Sequence, residues 1–240
     1  MMMKRSHEVV DINKVRPDAT QPRKIFDEES IAQLAGSIKQ EGLIHPVEVD
    51  ATYTIIVGER RYRALRFMGA TTVEVVVNTD KITPYERLRR QMSENLSRAG
   101  GAQGMNAIDI SRGLARLFEL KTGKPYDFNQ TAVAYRGGQS GTKRTTQGEA
   151  LFEIAQDIGI SIRLVYFQLR LLIEPQYVIE DIIKGRSATD YQLISSYKSL
   201  DAQTREGFRQ KLSDGQFPTR GDLRLDMQKA RANPELIPSI

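Results

Sequence analysis

Alternating hydrophobic and polar positions in the first third of the chain predict a small β-sheet. Residues 47–49, 53–57 and 73–77 are apolar and rich in β-branched side chains, the pattern of half-buried strands. Residues 8–12 form a shorter candidate strand. The turn-forming sequence Asp50-Ala51-Thr52 separates the first two runs and predicts a hairpin.

Besides a short helix that follows Gly58 and continues through Met68, two helices are predicted between and after these strands. Residues 28–40 have apolar side chains at spacings of three, four and seven, with Asp27 as the N-cap and Gly42 at the end. Residues 85–96 carry a second apolar stripe, which Thr83 and Pro84 introduce. Strands and helices together predict a compact α+β domain over residues 1–97.

Strand patterns almost vanish after residue 106, and apolar residues recur with the helical period. Helices are predicted at 107–120, 178–184, 185–197, 201–212 and 219–232, and a pair of helices at 151–170. These runs predict an all-α domain at 105–200 with a helical extension at 201–240. The Gly-rich residues 98–104 form either a hinge or a plain surface loop.

Residues 121–147 are the least regular part of the chain. They contain several glycines and five basic residues against a single acidic one, Asp127. Such a basic segment either contacts DNA phosphates or is a solvated loop, because loops collect Lys and Gly without binding anything.

Residues 151–170 fit a helix-turn-helix template. Ala155 is small at the expected crossing of the two helices, Gly159 suits a tight turn, and Ser161 is placed to cap the second helix. Arg163, Tyr166 and Arg170 fall on the outer positions of that helix. The candidate DNA-contact residues are therefore Ser161, Arg163, Tyr166 and Arg170, although an ordinary helix pair in an all-α core has the same periodicity.

Composition narrows the classes of chemistry. The 240 residues include no cysteine and two histidines, which excludes disulfides, thiol catalysis and Cys-based metal sites. The net charge of +5 favours a polyanionic partner, with nucleic acid first. No apolar run approaches the length of a membrane span, so we expect a cytoplasmic protein.

The stretch around Gly58 is the main candidate for a ligand site. Gly58 lies where a predicted strand turns into a helix, a place where backbone N–H groups bind anions. Arg60, Arg61 and Arg63 follow within five residues, and arginine binds phosphate oxygens with two donors. Spacing alone fits a polyphosphate site and a solvated basic helix face equally well.

Four ordered motifs resemble the ParB family of DNA-partition proteins. Residues 58–64, Gly-Glu-Arg-Arg-Tyr-Arg-Ala, resemble its phosphate-binding box, and residues 21–27 resemble its early QPR box. Residues 42–47 resemble its G-x-x-x-P-V/L loop. Residues 93–98 resemble its ENLQR box, with Ser97 in place of the usual glutamine. The resemblance extends over about residues 8–230, and residues 168–172 resemble the H-L-R-L-L segment that closes the family's helix-turn-helix unit.

This resemblance implies a small mixed N-terminal ParB-like α/β domain followed by an all-α helix-turn-helix domain, with CTP and Mg²⁺ as ligands and slow CTP hydrolysis. The nucleotide-binding set it implies is Gln21, Arg23, Gly58, Glu59, Arg60, Arg61, Arg63, Glu94 and Asn95. Glu94 and Asn95 are the metal candidates, and Glu59 and Glu94 are the catalytic candidates that position metal or water. The alternative for Glu59 is a salt bridge to an adjacent arginine.

The resemblance also implies double-stranded DNA as a partner, association with the nucleoid or a plasmid, a ParA-type ATPase, and a homodimer that CTP promotes into a clamp. In the family a C-terminal dimerisation domain follows, and we expect this chain to lack it, because nothing after Ala232 resembles it. Two other functions remain: a plain helix-turn-helix transcriptional regulator without nucleotide turnover, and a ParB-like nuclease.

Overall fold

Four short strands form a mixed sheet near the start of the chain. The computed structural model describes residues 5–23, 26–97, 105–129 and 146–232. The strands are β1 (Arg5–Asp11), β2 (Val47–Asp50), β3 (Ile55–Val57) and β4 (Thr72–Asn78), in the order β1-β4-β2-β3. The hairpin of β2 and β3 is antiparallel as predicted, whereas β2 pairs with β4 in parallel, a pairing that no local pattern indicated.

One face of the sheet carries the hydrophobic core of this region. Val47, Val49 and Val75 are fully buried, because alternate residues of a strand point to the same face. Helices α1 (Glu28–Glu41) and α2 (Glu59–Phe67) supply the other half of this core, among them Ile31 and Ala64. Asp27 caps α1 as predicted, and its carboxylate accepts a hydrogen bond from the backbone N–H of Ser30 at 2.7 Å.

The opposite face of the sheet binds helix α3 (Pro84–Ser97) through charged groups. Glu48 of β2 accepts a hydrogen bond from Arg90 at 2.6 Å, and Asp50 accepts one from Arg87. The core and α3 therefore lie on different sides of the same strands.

The remaining described elements are helical, as the sequence predicted. They are α4 (Ala107–Thr122), α5 (Thr146–Ile158), α6 (Ile162–Arg170), α7 (Gln176–Ile183), α8 (Ala188–Ser196), α9 (Ala202–Ser213) and α10 (Arg220–Ala232). Two short 3-10 helices, Ile12–Lys14 and Leu171–Ile173, were not predicted. The α+β class, with a mixed sheet followed by helices, is confirmed.

The chain divides into two compact units. One comprises Met1–Met105 with Arg112–Tyr166, and the other Asn106–Ser111 with Phe167–Ile240. The second unit has its own core, in which Tyr191 and Ile194 are fully buried. The predicted hinge at 98–104, residues 130–145 of the basic segment and the last eight residues of the extension lie outside the described residues.

Candidate functional site

Gly58 forms the turn between β3 and α2. Its φ of +103° lies in a region that side-chain-bearing residues rarely adopt. A Cβ at this position would lie 2.8 Å from Nη2 of Arg61, so the turn also has no room for one. The first-turn N–H groups of a helix have no acceptor within the helix, and glycine has no side chain to cap them. This helix end is therefore arranged for an external anion.

Arg61 joins three of the sequence motifs at this turn. Its Nη1 donates to the backbone carbonyls of His45 and Pro46, at 2.7 Å each. Its Nη2 donates to Oε1 of Glu94 on α3 at 3.2 Å. The guanidinium is 13% exposed, so it is held in place yet still within reach of solvent. The structure thus brings the turn at Gly58 and Arg61, the carbonyls of residues 45–46 and Glu94 together from three separate parts of the sequence.

The segment that leads into the motif at residues 21–27 is tied to α3 by polar contacts that the sequence did not reveal. Gln91 of α3 is 1% exposed, and its Nε2 donates to Oδ2 of Asp18 at 2.9 Å. Gln21, three residues after Asp18, is buried beside this contact region, with its backbone N–H donating to the Asp18 carbonyl at 3.2 Å. Asn95 donates from Nδ2 to the Gln91 carbonyl at 2.7 Å, so Oδ1 is the atom it would offer to a cation.

A second group of predicted residues surrounds the ring of Phe26. The guanidinium carbon of Arg63 lies 3.9 Å from the ring centroid, and that of Arg23 lies 5.2 Å from it. Oε1 of Glu59 accepts two hydrogen bonds from Arg63, at 2.8 and 2.6 Å. This ion pair is the alternative that we described for Glu59, and its catalytic role stays a prediction. A cavity of about 720 Å³ opens beside the group and includes Phe26 and Arg63 in its lining.

Arg60 points in a third direction. Its side chain is 7% exposed, and Nη2 donates to the hydroxyl of Ser30 on α1 at 2.5 Å. The three arginines of the motif therefore have three different neighbourhoods, because successive residues of a helix project about 100° apart. The nucleotide role of Arg60 stays a prediction.

Charged side chains fix α3 along its length. Oε1 of Glu86 accepts from Arg89 at 2.8 Å and from Arg90 at 2.9 Å, and the hydrogen bonds from Arg89 lower the pKa of Glu86 to about 2. Burial acts to raise the pKa of Asp50, but hydrogen bonds from its turn residues and from Arg87 outweigh burial and lower it. Both carboxylates are therefore held in the ionised form.

The first turns of α3 contact the end of α5. The hydroxyl of Tyr85 donates to Oδ2 of Asp157, and Nη1 of Arg89 donates to the Asp157 carbonyl at 3.0 Å. Lys121 of α4 lies 3.4 Å from the same carboxylate oxygen, 2.9 Å from Glu153 and 5.1 Å from the Tyr85 ring centroid. Burial and the bond to Asp157 raise the pKa of Tyr85 to about 12. These residues are distant in sequence, and no motif indicated them.

Helices α5 and α6 form the predicted pair with a tight turn. Gly159 has a φ of +74°, and the N–H of Ile160 donates to the Ala155 carbonyl at 3.0 Å. Ser161 caps α6, its hydroxyl accepting from the N–H of Leu164 at 3.2 Å. The structure therefore gives Ser161 a capping role, and its predicted contact with DNA stays a prediction.

The predicted DNA-contact side chains of α6 differ in exposure. Arg163 and Arg170 are exposed, and neither forms an ion pair within the part of the chain that the structure describes. Tyr166 is half-buried, as are Ile162 and Phe167. The apolar side chains of Ile162 and Phe167 are therefore partly packed within the protein, which agrees with their being poor readers of base edges.

No group of three or more His, Cys, Asp or Glu residues suited to a metal ion occurs within the described ranges. Among those same residues, no helix is long and apolar enough to span a bilayer.

Residues 2–96 match the ParB N-terminal domain family. The probable chromosome-partitioning protein ParB of Chlamydia pneumoniae is 31% identical over 170 residues, which cover 68% of this chain and 55% of that protein. The chromosome-partitioning protein Spo0J of Thermus thermophilus is 36% identical over 140 residues, 57% of this chain and 46% of that protein. The chain spans about half the length of the curated relatives it matches.

Solved structures show the same fold at lower identity. The C-terminally truncated chromosome-partitioning protein ParB from Caulobacter crescentus, complexed to the centromeric parS site, is 21% identical with a TM-score of 0.56, covering 93% of this chain and 100% of that one. A pNOB8-like ParB N-domain is 14% identical with a TM-score of 0.55, covering 96% and 98%. Residues 2–96 are therefore a ParB N-terminal domain, and the chain is similar to the chromosome-partitioning proteins ParB and Spo0J over about half of their length.

Proposed function

We propose that this chain is a ParB-type, CTP-dependent DNA-binding protein that acts as a nucleotide-gated clamp in the partition of a chromosome or plasmid. The observation that carries the proposal is Arg61, held between the carbonyls of residues 45–46 and Glu94 in front of the Gly58 turn. The names of the relatives, chromosome-partitioning proteins and a nucleoid occlusion protein, support the role in partition.

The turn at Gly58 together with the guanidinium of Arg61, here called the cradle, has the chemistry to bind a chain of phosphates. Arg61 now donates to two neutral carbonyls, and a phosphate oxygen is a stronger acceptor because the resulting hydrogen bond is charge-assisted. Gly58 lets an oxygen approach the helix end, where the macrodipole favours negative charge. Gln21 and Arg23 lie in the loop that α3 holds through Asp18, and they would close over the nucleotide from that side.

Glu94 and Asn95 fit a magnesium ion only in company with phosphate. They offer a carboxylate and an amide oxygen, the donors that Mg²⁺ accepts, and the described residues add no further acidic cluster. Bound Mg²⁺ would neutralise phosphate charge beside Glu94. Glu94 itself would hold both Arg61 and the cation, and so would orient the guanidinium toward the phosphates. Its further role in slow hydrolysis is part of this proposal.

Double-stranded DNA would bind through α6. Arg163 and Arg170 are exposed cations seven residues apart on one helix, so they lie on the same side, about two turns from each other. Such arginines contact phosphates or guanine edges in a major groove. CTP would promote a homodimer through the N-terminal domains, and a ParA-type ATPase is the partner that the resemblance to ParB proteins suggests.

Calorimetric titration with CTP and Mg²⁺, with and without a DNA duplex, tests the proposal. We expect Arg61→Ala to weaken CTP binding roughly ten- to hundredfold, because it removes a charge-assisted hydrogen bond of about 1.5–3 kcal/mol. Arg66→Ala is the matched control, since Arg66 lies on the same helix about 7 Å farther along the axis and its Nη1 donates to the Tyr62 hydroxyl.

The controls also separate the alternatives. Equal CTP affinity in Arg61→Ala and Arg66→Ala would show that Arg61 does not bind the phosphates. A wild-type protein that binds DNA but no CTP would leave the plain regulator. Nicking of supercoiled plasmid in Mg²⁺, at a rate that Glu94→Gln abolishes, would support the nuclease instead.

A further inference from the structure

Strand β1 forms one edge of the sheet, since β4 is its only neighbour among the described strands. The N–H of Ile12 donates to the Thr71 carbonyl at 3.0 Å, which continues the ladder that pairs Val10 with Val73. In an antiparallel ladder, every second residue exchanges both of its backbone hydrogen bonds with the neighbouring strand. The even-numbered residues of β1 therefore bond to β4, and residues 5, 7, 9 and 11 point their N–H and C=O groups away from the sheet.

These outward backbone groups are available to another chain. Among the described residues, no backbone group outside β4 forms a hydrogen bond with β1. The strand keeps a continuous register with β4 over seven residues, and its sequence contains no proline or lysine that would protect the edge. Val9 is 71% exposed, so the outer part of the strand is open to solvent. An edge of this length is a template for an added strand.

The side chain of Glu8 limits which strand can be added. It lies on the same face of β1 as the core residue Val10, and its carboxylate accepts hydrogen bonds from Ser6 at 2.8 Å and from Tyr53 at 3.0 Å. Both donors are neutral hydroxyls. An apolar residue opposite this half-buried carboxylate would take it further from water without neutralising its charge. A lysine or arginine in that position would neutralise it.

A second copy of this chain is a poor match for the edge. Antiparallel pairing of two β1 strands over residues 5–11 would place each Glu8 directly opposite its counterpart, because residue 8 is the midpoint of that range. The two Cα atoms would then lie about 4.5 Å apart, and like charges at directly opposed positions destabilise a strand pair. The registers that avoid this contact shorten the paired region to residues 7–11 or 5–9. The edge therefore favours a different chain as its partner.

We propose that β1 accepts an extended peptide segment of a partner protein as an added antiparallel strand, and that Glu8 selects a segment with a lysine or arginine at its centre. The cross-strand positions define the rest of the segment. They favour β-branched residues opposite Val9 and Val10, a cation opposite Asp11 and a carboxylate opposite Arg5. The backbone groups would supply affinity, and the side-chain pairs would supply specificity. The inference goes beyond the proposed function, because β1 contains none of the candidate nucleotide or DNA residues.

A synthetic peptide of sequence Lys-Val-Val-Lys-Thr-Val-Glu, with blocked ends and a fluorescent label, has these features. Its first residue would lie opposite Asp11 and its central lysine opposite Glu8. Only peptide residues opposite the odd-numbered positions of β1 would bond to the strand through their backbone. N-methylation of the third peptide residue therefore removes a donor that faces β1. N-methylation of the central lysine removes a donor that faces away from β1, and this peptide is the matched control.

Val9→Pro blocks the edge from the protein side. The N–H of Val9 points outward, so proline at this position removes no hydrogen bond to β4. Val9→Thr is the matched control, because it changes the same side chain and retains the N–H. Glu8→Lys reverses the charge that selects the segment, and its probe is the peptide with glutamate at the central position. Far-UV circular dichroism and a urea midpoint show that each variant folds.

Fluorescence anisotropy of the full chain, without nucleotide or DNA, gives the dissociation constants. We expect the wild type and Val9→Thr to bind the peptide. Binding should weaken at least about tenfold in Val9→Pro and on N-methylation of the third peptide residue, since each loses a backbone hydrogen bond and gains a steric clash. N-methylation of the central lysine should have little effect. Glu8→Lys should prefer the glutamate peptide, the reverse of the wild type.

Three results would overturn the proposal. One is a wild type that leaves the peptide unbound at about 1 mM. Another is an equal effect of the two N-methyl groups, which would show that the peptide does not pair with β1. The third is a wild-type dimer in sedimentation that Val9→Pro abolishes, because a second copy would then occupy the edge. A wild type that binds the peptide as expected but binds no CTP would refute the proposed function and support the added strand.

Discussion

Replacing Gly58 with alanine isolates the two demands that this position makes. The first is conformational: a φ of +103° is a strained backbone for any residue with a Cβ. The second is steric: the new Cβ would lie 2.8 Å from Nη2 and 3.0 Å from Cζ of Arg61. The obstacle is the flexible end of a side chain, so the guanidinium would move and leave its carbonyl partners.

The structure supplies a control for the conformational part. Gly69, at the other end of α2, also has a positive φ, +74°, but a Cβ there would meet nothing within 4 Å. Gly69→Ala should therefore cost only the left-handed backbone term, about 1–2 kcal/mol of the free energy of unfolding. Gly58→Ala should cost about 2–4 kcal/mol, because Arg61 also loses well-formed hydrogen bonds to His45 and Pro46.

Nucleotide binding should separate the two variants more clearly than stability does. CTP affinity should be unchanged in Gly69→Ala and at least tenfold weaker in Gly58→Ala, since the latter fills the approach to the helix end and displaces Arg61. Urea unfolding followed by circular dichroism gives the stabilities, and calorimetric titration with CTP and Mg²⁺ gives the affinities. If the two alanine variants bind CTP equally well, the cradle at Gly58 and Arg61 is wrong.

Three further predictions concern other parts of the chain. Arg163→Ala and Arg170→Ala should each weaken binding of a DNA duplex that this chain selects from a random-sequence library. If either arginine contacts a phosphate, its loss should lower the slope of log affinity against log salt concentration by about one unit. Mobility shifts from about 50 to 200 mM salt that match the wild type for both variants would show that α6 is a core helix. Glu86 has a folded-state pKa of about 2 against an ordinary 4.5, so its stabilising contribution is complete above about pH 4.5 and is lost as the pH falls toward 2. Glu86→Gln should therefore destabilise the protein at pH 6 and much less near pH 2, and urea midpoints with the same difference at both values would contradict this. Tyr191→Phe should cost about 1–3 kcal/mol, because the buried Tyr191 hydroxyl donates to Asp181 at 2.5 Å, and an unchanged urea midpoint would show that this bond is not stabilising.

Local patterns in the sequence were enough to locate most elements. Alternation of apolar residues located β2, β3 and β4, and the cap at Asp27 located the start of α1. The glycine at position 58 indicated a turn, because only a residue without a Cβ adopts its backbone conformation readily. These features depend on interactions between residues a few positions apart, and such interactions are visible in the sequence.

The sequence also determined which motifs matter, but not how their side chains are arranged. Arg60, Arg61 and Arg63 were equivalent candidates for a phosphate. The tertiary structure places Arg61 against Glu94, Arg60 against Ser30 and Arg63 against Phe26. The helical period separates their directions, and the elements that meet each direction come from distant parts of the chain.

Only the tertiary structure decided the contacts that span long separations. The parallel pairing of β2 with β4 and the contact of Tyr85 with Asp157 join residues 28 and 72 positions apart. The sequence around Tyr191 could not show that its ring is fully buried in the second core. Such contacts depend on the free energy of the whole packed chain, in which hydrophobic burial and paired charges at many sites balance the loss of conformational entropy.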